Sequence, residues 1–278
     1  MTETRMAAIQ MASGSNVGAN LDEAGKLVAA AAADGAGVIV LPENFGLIGQ
    51  TEKAKREHAE ADGSGPQQDY LAAAARRHGV WLIGGSLPIA TPGGERVRQR
   101  LVVFGPDGAC VAKYDKIHLF DVQLDNGETY RESSGIEPGD TVVTVDLPIG
   151  RVGLTICYDL RFPELYRELL HRGAEIFVVP SAFTKATGRA HWEVLLRARS
   201  IENLAWTVAP AQGGYHVSGR ETWGHTMIVD PWGTVVAERA NGNGFVAADF
   251  DRERLEATRR RFPAISHRRI GNGSREPQ

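Results

Sequence analysis

The stretch Gly153-Leu-Thr-Ile-Cys157-Tyr-Asp-Leu-Arg-Phe-Pro-Glu164 places a single cysteine between an apolar run and a proline. Residues 152–156 have the pattern of a short buried strand, and Pro163 fixes a backbone angle that suits the first turn of a helix. Cys157 and Tyr158 are therefore predicted to lie in the turn between the two, where backbone N–H groups can face a developing oxyanion. This position makes Cys157 a candidate nucleophile, and a buried structural cysteine is the alternative.

Strand and helix patterns alternate on both sides of this stretch. Near the N-terminus, residues 5–12 and 37–41 resemble strands, with apolar residues at helical spacing between them, so this region is predicted to be a β-α-β unit. Further strands are predicted at 80–87, 97–104, 109–114, 141–146, 151–156 and 175–179 and near 207, 226 and 235, and further helices at 67–78, 164–171 and 189–204.

The order of these elements predicts the fold class. Strands that alternate with helices and include several hairpins indicate an α/β (α+β) fold with mixed sheets, and so many strands are expected to divide into two packed sheets with helices outside. In the helix at 189–204, the apolar residues Val194, Ala198, Ile201 and Ala205 share one face.

No linker rich in Pro, Gly or Ser divides the chain. We therefore expect a single domain over residues 1–278, with a core at about 5–250 and a C-terminal arm at about 251–278. The segment 252–269 is basic and poor in apolar residues. It is interpreted as a solvated face, and an arm laid on another subunit is the alternative.

Composition excludes several classes of protein. The formal net charge of -3 and the mixed signs leave no basic stripe for nucleic acid and no polybasic patch for a membrane. The chain has no charged-then-apolar leader and no apolar run of about 18 residues, so neither secretion nor a membrane span is expected. A reducing cytoplasm fits best, with Cys157 and the other cysteine, Cys110, as free thiols; Cys110 is predicted to be a packing residue in a strand.

Two segments before Cys157 contain charged residues that thiol-dependent acyl transfer requires. Glu43 follows the apolar run Val40-Leu-Pro, where it could take the thiol proton and return it to a leaving amine, although a solvated loop residue is the alternative. Lys116 is bracketed by partly apolar neighbours, so its ammonium could stabilise an oxyanion and favour a thiolate at Cys157; a surface lysine is the alternative. His118 is a weaker candidate base, because a nearby cation would reduce its basicity.

A polar loop, Gly127-Glu128-Thr-Tyr-Arg-Glu132-Ser-Ser134, carries two further carboxylates. Either Glu128 or Glu132 could orient Lys116 through a charge-assisted hydrogen bond, or hold a substrate amide. The pattern of residues alone does not choose between the two.

Three motifs in this order resemble the carbon–nitrogen hydrolases of the nitrilase superfamily: Leu41-Pro-Glu43, Lys113-Tyr-Asp-Lys116-Ile-His-Leu and Ile156-Cys157-Tyr-Asp-Leu-Arg161-Phe-Pro-Glu. The resemblance covers nearly the whole chain. Within the superfamily, the segments around 180–184, 190–202 and 223–233 are most similar to the branch of deaminated glutathione amidases, with the omega-amidase branch second.

The resemblance implies a fold, a triad and an assembly. The implied fold is a four-layer α-β-β-α sandwich, and the implied Glu-Lys-Cys triad is Glu43, Lys116 and Cys157, with Glu132 as the supporting second glutamate rather than Glu128. It also implies homodimers or higher homo-oligomers that pair across outer helices, here the helix after Cys157 and the one at 189–204. No metal or organic cofactor is implied.

The resemblance further implies a cysteine-dependent amidase that hydrolyses a small linear amide bearing a carboxylate, through a thioester on Cys157. A cation should then hold the substrate carboxylate. The candidate cations are Arg161, Arg197, Arg199 and Arg220, and the residues expected to line the pocket are Tyr158, Phe183, Thr184 and His191.

Other functions share parts of this pattern. An omega-amidase acting on 2-oxoglutaramate or succinamate is the main alternative, and a nitrilase, an N-carbamoyl hydrolase or a non-catalytic binding protein that keeps the fold are weaker ones. A metallohydrolase is disfavoured, because no H-x-x-x-H motif or Cys/His cluster with ligand spacing occurs in the sequence.

Overall fold

The first strand already shows two apolar layers. In the computed structural model, which describes residues 5–49, 52–124, 127–217 and 219–270, residues 5–10 form a strand in which successive side chains point to opposite faces. Met6 and Ala8 belong to one buried apolar cluster, while Ala7 and Ile9 belong to another. A strand that is buried on both faces lies inside a layered structure.

The described strands are Arg5–Gln10 (β1), Val38–Val40 (β2), Trp81–Ile83 (β3), Leu87–Ala90 (β4), Val97–Phe104 (β5), Cys110–Asp115 (β6), Asp121–Gln123 (β7), Thr129–Arg131 (β8), Thr144–Leu147 (β9), Gly150–Leu154 (β10), Ile176–Val178 (β11), Trp206–Ala209 (β12), Gly213–Tyr215 (β13), Glu221–Trp223 (β14), Thr226–Val229 (β15), Val235–Arg239 (β16) and Gly244–Asp249 (β17). The described α-helices are Val17–Ala33 (α1), Glu52–Glu57 (α2), Pro66–His78 (α3), Pro163–His171 (α4), Lys185–Asn203 (α5) and Arg252–Arg261 (α6).

The strands form two large mixed sheets. The first has the order β17-β1-β2-β3-β5-β4, with β6 also paired to β5, and the second has the order β16-β15-β12-β11-β10-β9. Strands β1, β2 and β3 are parallel, as are β10, β11 and β12. The sheets pack face to face, since β1 contacts both β12 and β15 of the other sheet.

Helices cover the outer face of each sheet. Buried residues of α1 and α3, such as Val28 and Leu71, pack on the first sheet in one apolar cluster. Buried residues of α4 and α5, such as Leu169 and Leu196, pack on the second sheet. This arrangement confirms the predicted four-layer α-β-β-α sandwich. None of the helices in the described part of the chain has the length and apolar character needed to cross a bilayer.

The two predicted hairpins are confirmed, because β5 pairs antiparallel with β6 and β9 with β10. The single strand predicted at 80–87 is wrong, because β3 and β4 are separate strands. The chain bends at Gly85, which has a φ of +56°, and a Cβ atom there would lie 2.0 Å from the carbonyl oxygen of Pro42. Strand β17 and the short pairs β7–β8 and β13–β14 were not predicted.

Two further predictions need correction. Cys110 is exposed and is not a packing residue. The segment 252–269 is not merely a solvated face, because Leu255 of α6 is fully buried against the same chain. The Arg259 guanidinium donates to the Leu204 carbonyl at 2.9 Å, which fixes α6 beside the end of α5.

Helix α5 also differs from its prediction. Its buried residues include Trp192 and Leu196, whereas Val194 and Ile201, predicted to share an apolar face, are 67% and 45% exposed. Ala205, which was predicted to share that face, is fully buried, so the face read from the sequence is directed away from the core only at Val194 and Ile201.

Candidate active site

Three strand ends bring together the residues that the sequence singled out. Glu43 follows β2, Lys116 follows β6 of the same sheet, and Cys157 follows β10 of the other sheet. All three, together with Glu132, line one pocket of about 140 Å³. Ligands commonly bind beyond the carboxyl ends of parallel strands, and here β2 and β10 supply such ends from both sheets.

Lys116 is the centre of a buried ionic cluster. Its Nζ atom lies 2.8 Å from Oε1 of Glu43, and 3.0 and 2.9 Å from the two carboxylate oxygens of Glu132. The backbone N–H of Phe120 also donates to Oε2 of Glu132 at 2.7 Å. The Lys116 side chain is 2% exposed, so the two carboxylates replace the water that an ammonium needs.

The charges of the cluster fix its protonation. Burial would lower the pKa of Lys116, but the carboxylates of Glu132 and Glu43 outweigh it and hold that pKa well above its ordinary value. Burial would likewise raise the pKa of Glu132, but the ammonium groups of Lys116 and Lys55 and the Phe120 N–H hold it below its ordinary value. Lys116 is therefore a permanent cation and Glu132 a permanent anion near neutral pH.

Cys157 lies at the start of a 3-10 turn that spans Cys157–Arg161 and leads into α4. Its φ of +49° is in the left-handed region, which residues with a Cβ atom seldom adopt without support from their surroundings. Its backbone N–H donates to the carbonyl of Pro180 at 2.9 Å. The sulfur belongs to a buried residue that nevertheless lines the pocket.

The surroundings of Cys157 disfavour its ionised form. Burial, and then the charge of Glu43, raise the pKa of Cys157 far above its ordinary value, and the opposite effect of Lys116 is smaller. Lys116 lowers this pKa, in the direction expected from the sequence, but burial and the charge of Glu43 outweigh it. Because the anionic carboxylate of Glu43 disfavours the thiolate, the thiol and this carboxylate are suited to exchange a proton as sulfur attacks.

The loop that carries Glu43 is held by buried hydrogen bonds. Asn44 has a φ of +57°, and its N–H donates to Ser86 Oγ at 3.0 Å while its Oδ1 accepts from the Gln99 amide at 2.8 Å. The amide of Gln212 donates to the Glu43 carbonyl at 3.1 Å. Buried polar loops require such partners, and these bonds restrict where the Glu43 carboxylate can lie.

The wall of the pocket is aromatic and cationic. Of the residues predicted to bind substrate, Tyr158, Arg161, Phe183 and Thr184 line it, and so does Arg220. Sequence reasoning missed several other lining residues, which lie in or near loops and short elements without a periodic pattern: Asn44, Lys55, Phe120, Thr129, Tyr130, Arg131, Ala182 and Thr187.

Comparison with known proteins identifies the family. A sequence profile described as carbon-nitrogen hydrolase matches residues 5–260, which is most of the chain. The chain belongs to the carbon-nitrogen hydrolase family. The protein is therefore an enzyme that hydrolyses carbon–nitrogen bonds in amides, and the resemblance to the nitrilase superfamily seen in its motifs is confirmed.

Individual relatives of this hydrolase carry related names. It is 41% identical to a deaminated glutathione amidase of Synechocystis sp., covering 94% of this chain and 97% of that protein. It is 37% identical to omega-amidase NIT2 of Homo sapiens, covering 97% and 96%. The crystal structure of the Caenorhabditis elegans NitFhit protein, a fusion protein, superposes with a TM-score of 0.90 at 37% identity, covering 96% of this chain and 65% of that one.

The remaining predicted substrate residues of the hydrolase lie outside the pocket. His191 is exposed on α5, where its Nδ1 atom is 3.2 Å from Nη1 of Arg161. Arg197 donates to the Gly233 carbonyl, and buried Arg199 donates to the Leu160 carbonyl. The latter two arginines therefore stabilise the fold around α5 and do not face the pocket.

Two further candidates are also placed by the structure. Glu128 is exposed and accepts from the Tyr130 hydroxyl at 2.9 Å, so Glu132 rather than Glu128 is the glutamate beside Lys116. His118 does not line the pocket. Its Nδ1 lies 2.7 Å from Oδ1 of Asp159. Across the described ranges, no group of three or more His, Cys, Asp or Glu side chains could hold a metal ion.

Replacing Lys116 by methionine tests the ionic cluster. Without the ammonium, two buried carboxylates lose their counter-charge, so the free energy of unfolding should fall by about 3–5 kcal/mol at neutral pH. The deficit should shrink as the pH falls. In the wild type, the lowered pKa of Glu132 contributes stability that is lost as the pH falls. In the variant, protonation of the unpaired buried carboxylates removes their charge and stabilises the folded protein.

Urea unfolding at several pH values measures this difference. Lys113→Met is the matched control, because Lys113 lies on β6, the strand that leads to Lys116, but forms an exposed ion pair with Asp62 at 2.6 Å. Loss of that pair should cost about 1 kcal/mol or less. A Lys116→Met deficit no larger than that of the control, or one independent of pH, would contradict the account of the cluster.

Proposed function

We propose that this hydrolase cleaves a small linear amide that carries a carboxylate, of the deaminated glutathione type, through a thioester on Cys157. The observation that carries the proposal is the pocket in which the buried Cys157 thiol and the Glu43–Lys116–Glu132 cluster lie together with several cations. The deaminated glutathione amidase named above, similar over nearly its whole length, supports the substrate class.

In the first half-reaction, Glu43 takes the proton of the Cys157 thiol while sulfur bonds to the amide carbon. Protonation of Glu43 removes one of the two charges that hold Lys116, so the ammonium can stabilise the new oxyanion. The N–H of Tyr158, at the start of the 3-10 turn, is the proposed second donor. The C–N bond then breaks as Glu43 gives its proton to the leaving nitrogen.

In the second half-reaction, water takes the place of the amine. Glu43 accepts a proton from this water as its oxygen attacks the thioester carbon, and Lys116 again faces the oxyanion. The C–S bond breaks, the proton on Glu43 returns to sulfur, and the carboxylic acid product leaves. Glu132 stays ionised throughout and keeps Lys116 in place when Glu43 is neutral.

The alternative is an omega-amidase that acts on 2-oxoglutaramate or succinamate, which the similarity to human omega-amidase NIT2 supports. Both proposed activities use the same triad and differ in the leaving group. An omega-amidase releases ammonia, whereas hydrolysis of deaminated glutathione releases a larger amine. Nitrile and N-carbamoyl hydrolysis would use the same thiol.

Arg161 is the proposed partner of the substrate carboxylate. Its guanidinium lies 5.3 Å from the centre of the Phe183 ring and 5.7 Å from that of Tyr158, so two aromatic faces hold it at the pocket wall. Arg220 and Lys55 add positive charge to the same wall. Thr184, which caps α5, also lines the pocket and is a further proposed contact.

We also propose a homodimer, a single domain with the predicted bounds, and a cytoplasmic location. The exposed apolar residues Val194 and Ile201 on α5 support pairing across an outer helix. Sedimentation of the protein as a monomer at working concentration would contradict the dimer. The two cysteines, Cys110 and Cys157, are both unbridged, which supports a reducing compartment.

Replacing Cys157 by alanine tests the proposed chemistry. Removal of the nucleophile should lower kcat by roughly 10⁴-fold or more for every amide that the enzyme cleaves. Release of ammonia from short ω-amides, and of amine from deaminated glutathione, is the measurement. The matched control is Cys110→Ala, which removes the exposed thiol and should leave the rates unchanged. Equal rates in wild type and Cys157→Ala would remove the thiol mechanism, and the preferred amide would separate the two substrate readings.

Replacing Arg161 by glutamine tests the carboxylate contact. Loss of a charge-assisted hydrogen bond should lower kcat/KM about 30-fold for a carboxylate-bearing amide. A neutral amide of similar length should be hydrolysed at nearly the wild-type rate. Arg197→Gln is the control, because that arginine lies outside the pocket. Equal losses on the charged and the neutral amide would show that Arg161 supports the fold and not the substrate.

A further inference from the structure

Asp159 is a fully buried carboxylate just behind the nucleophile turn. Its Oδ1 atom accepts from the backbone N–H of His118 at 3.0 Å and lies 2.7 Å from the ring Nδ1 of the same residue. Its Oδ2 atom accepts from the Tyr114 hydroxyl at 2.6 Å and from the backbone N–H of Ile156 at 2.8 Å. Each oxygen of the Asp159 carboxylate therefore has two polar partners.

These donors come from the two segments that carry the proposed chemistry. Tyr114 and His118 lie on either side of Lys116, and Ile156 directly precedes Cys157. Burial, and then the charge of Asp159, raise the pKa of Tyr114 well above its ordinary value, so its hydroxyl remains a donor. The Asp159 side chain therefore connects the segment that carries Lys116 with the segment that carries Cys157.

The nucleophile turn needs such support. A non-glycine residue at the φ of Cys157 costs about 1–2 kcal/mol, so the turn persists only where neighbouring contacts fix it. Asp159 supplies contacts from both its side chain and its backbone, because its N–H donates to the Ile156 carbonyl at 3.1 Å and its own carbonyl accepts from Phe162 at 3.0 Å.

His118 completes this network from the outer side. Its ring stacks on Phe162 with centroids 3.7 Å apart and an angle of 8° between the planes. Since Nδ1 contacts Asp159 and the ring does not line the pocket, His118 is not placed to exchange a proton with a substrate or with the Cys157 thiol.

We propose that Asp159 is a positioning residue, with His118 as its partner, that fixes Lys116 and the Cys157 turn relative to each other. This inference rests on the proposed function of Cys157 and Lys116. It predicts that weakening the network lowers kcat while KM stays near the wild-type value, because the substrate-binding wall is left intact.

A pair of His118 variants separates positioning from catalysis. In His118→Asn the amide N–H can occupy the place of the ring Nδ1 and keep the bond to Asp159, whereas His118→Ala loses it. Neither variant can act as an acid or a base near neutral pH. His118→Ala should lower kcat about tenfold, and His118→Asn should restore most of it. Equally low kcat values in both variants would overturn the proposal, since they would indicate a catalytic imidazole or a packing role for the ring.

Asp159→Asn tests the carboxylate itself, because its amide group would face donors in place of an acceptor oxygen. It should lower kcat about 100-fold and slow the alkylation of Cys157 by iodoacetamide. Asp146→Asn, an exposed aspartate paired with Arg151, is the control. Wild-type kcat and an unchanged or faster alkylation in Asp159→Asn would overturn the inference. The alkylation rate needs no substrate, so it separates this failure from that of the proposed amidase activity, and the His118 pair decides the matter if Asp159→Asn does not fold.

Discussion

The burial of the Lys116 ammonium between two carboxylates is the constraint on which the rest of the structure depends. A buried cation requires a negatively charged partner. Here Glu43 and Glu132 supply two carboxylates for the one ammonium of Lys116, so the cluster is net negative. Burial is the main reason that the pKa of Cys157 is raised, and a thiolate beside this cluster would in addition be a further anion. The charge becomes balanced only when a proton moves to Glu43, and that move is the first step of the proposed reaction.

The sandwich meets this constraint by supplying each charge from a different strand end. Two sheets packed face to face place the loop after β2, the end of β6 and the turn after β10 at one pocket, although the residues are far apart in the chain. The backbone is left-handed at Cys157 and at Asn44, which directly follows Glu43, and buried hydrogen bonds support both positions. Strain at these two positions is offset by the rigid layers around them.

Much of this could be predicted from the sequence where the signal is local. Turn residues and alternation predicted the hairpins, and the strand-to-helix pattern predicted the position of the candidate nucleophile. The strand predicted at 80–87 overlooked the Gly84-Gly85 pair, which is a local turn signal, whereas the approach of Gly85 to Pro42 exists only in the folded state. The residues alone also did not choose Glu132 over Glu128, because the contact with Lys116 exists only in the folded state. They gave no sign of Lys55 either, since its short helix meets the pocket only through tertiary packing.

The most direct test of the central claim is to trap the covalent intermediate. The enzyme is mixed with an amide that it hydrolyses, quenched in acid during turnover, digested, and analysed by mass spectrometry. The peptide containing Cys157 should gain the mass of the acyl group, and hydroxylamine should remove this mass, as expected of a thioester. An enzyme that turns over the amide without any acylated Cys157 peptide, or with the acyl group on another residue, would contradict it.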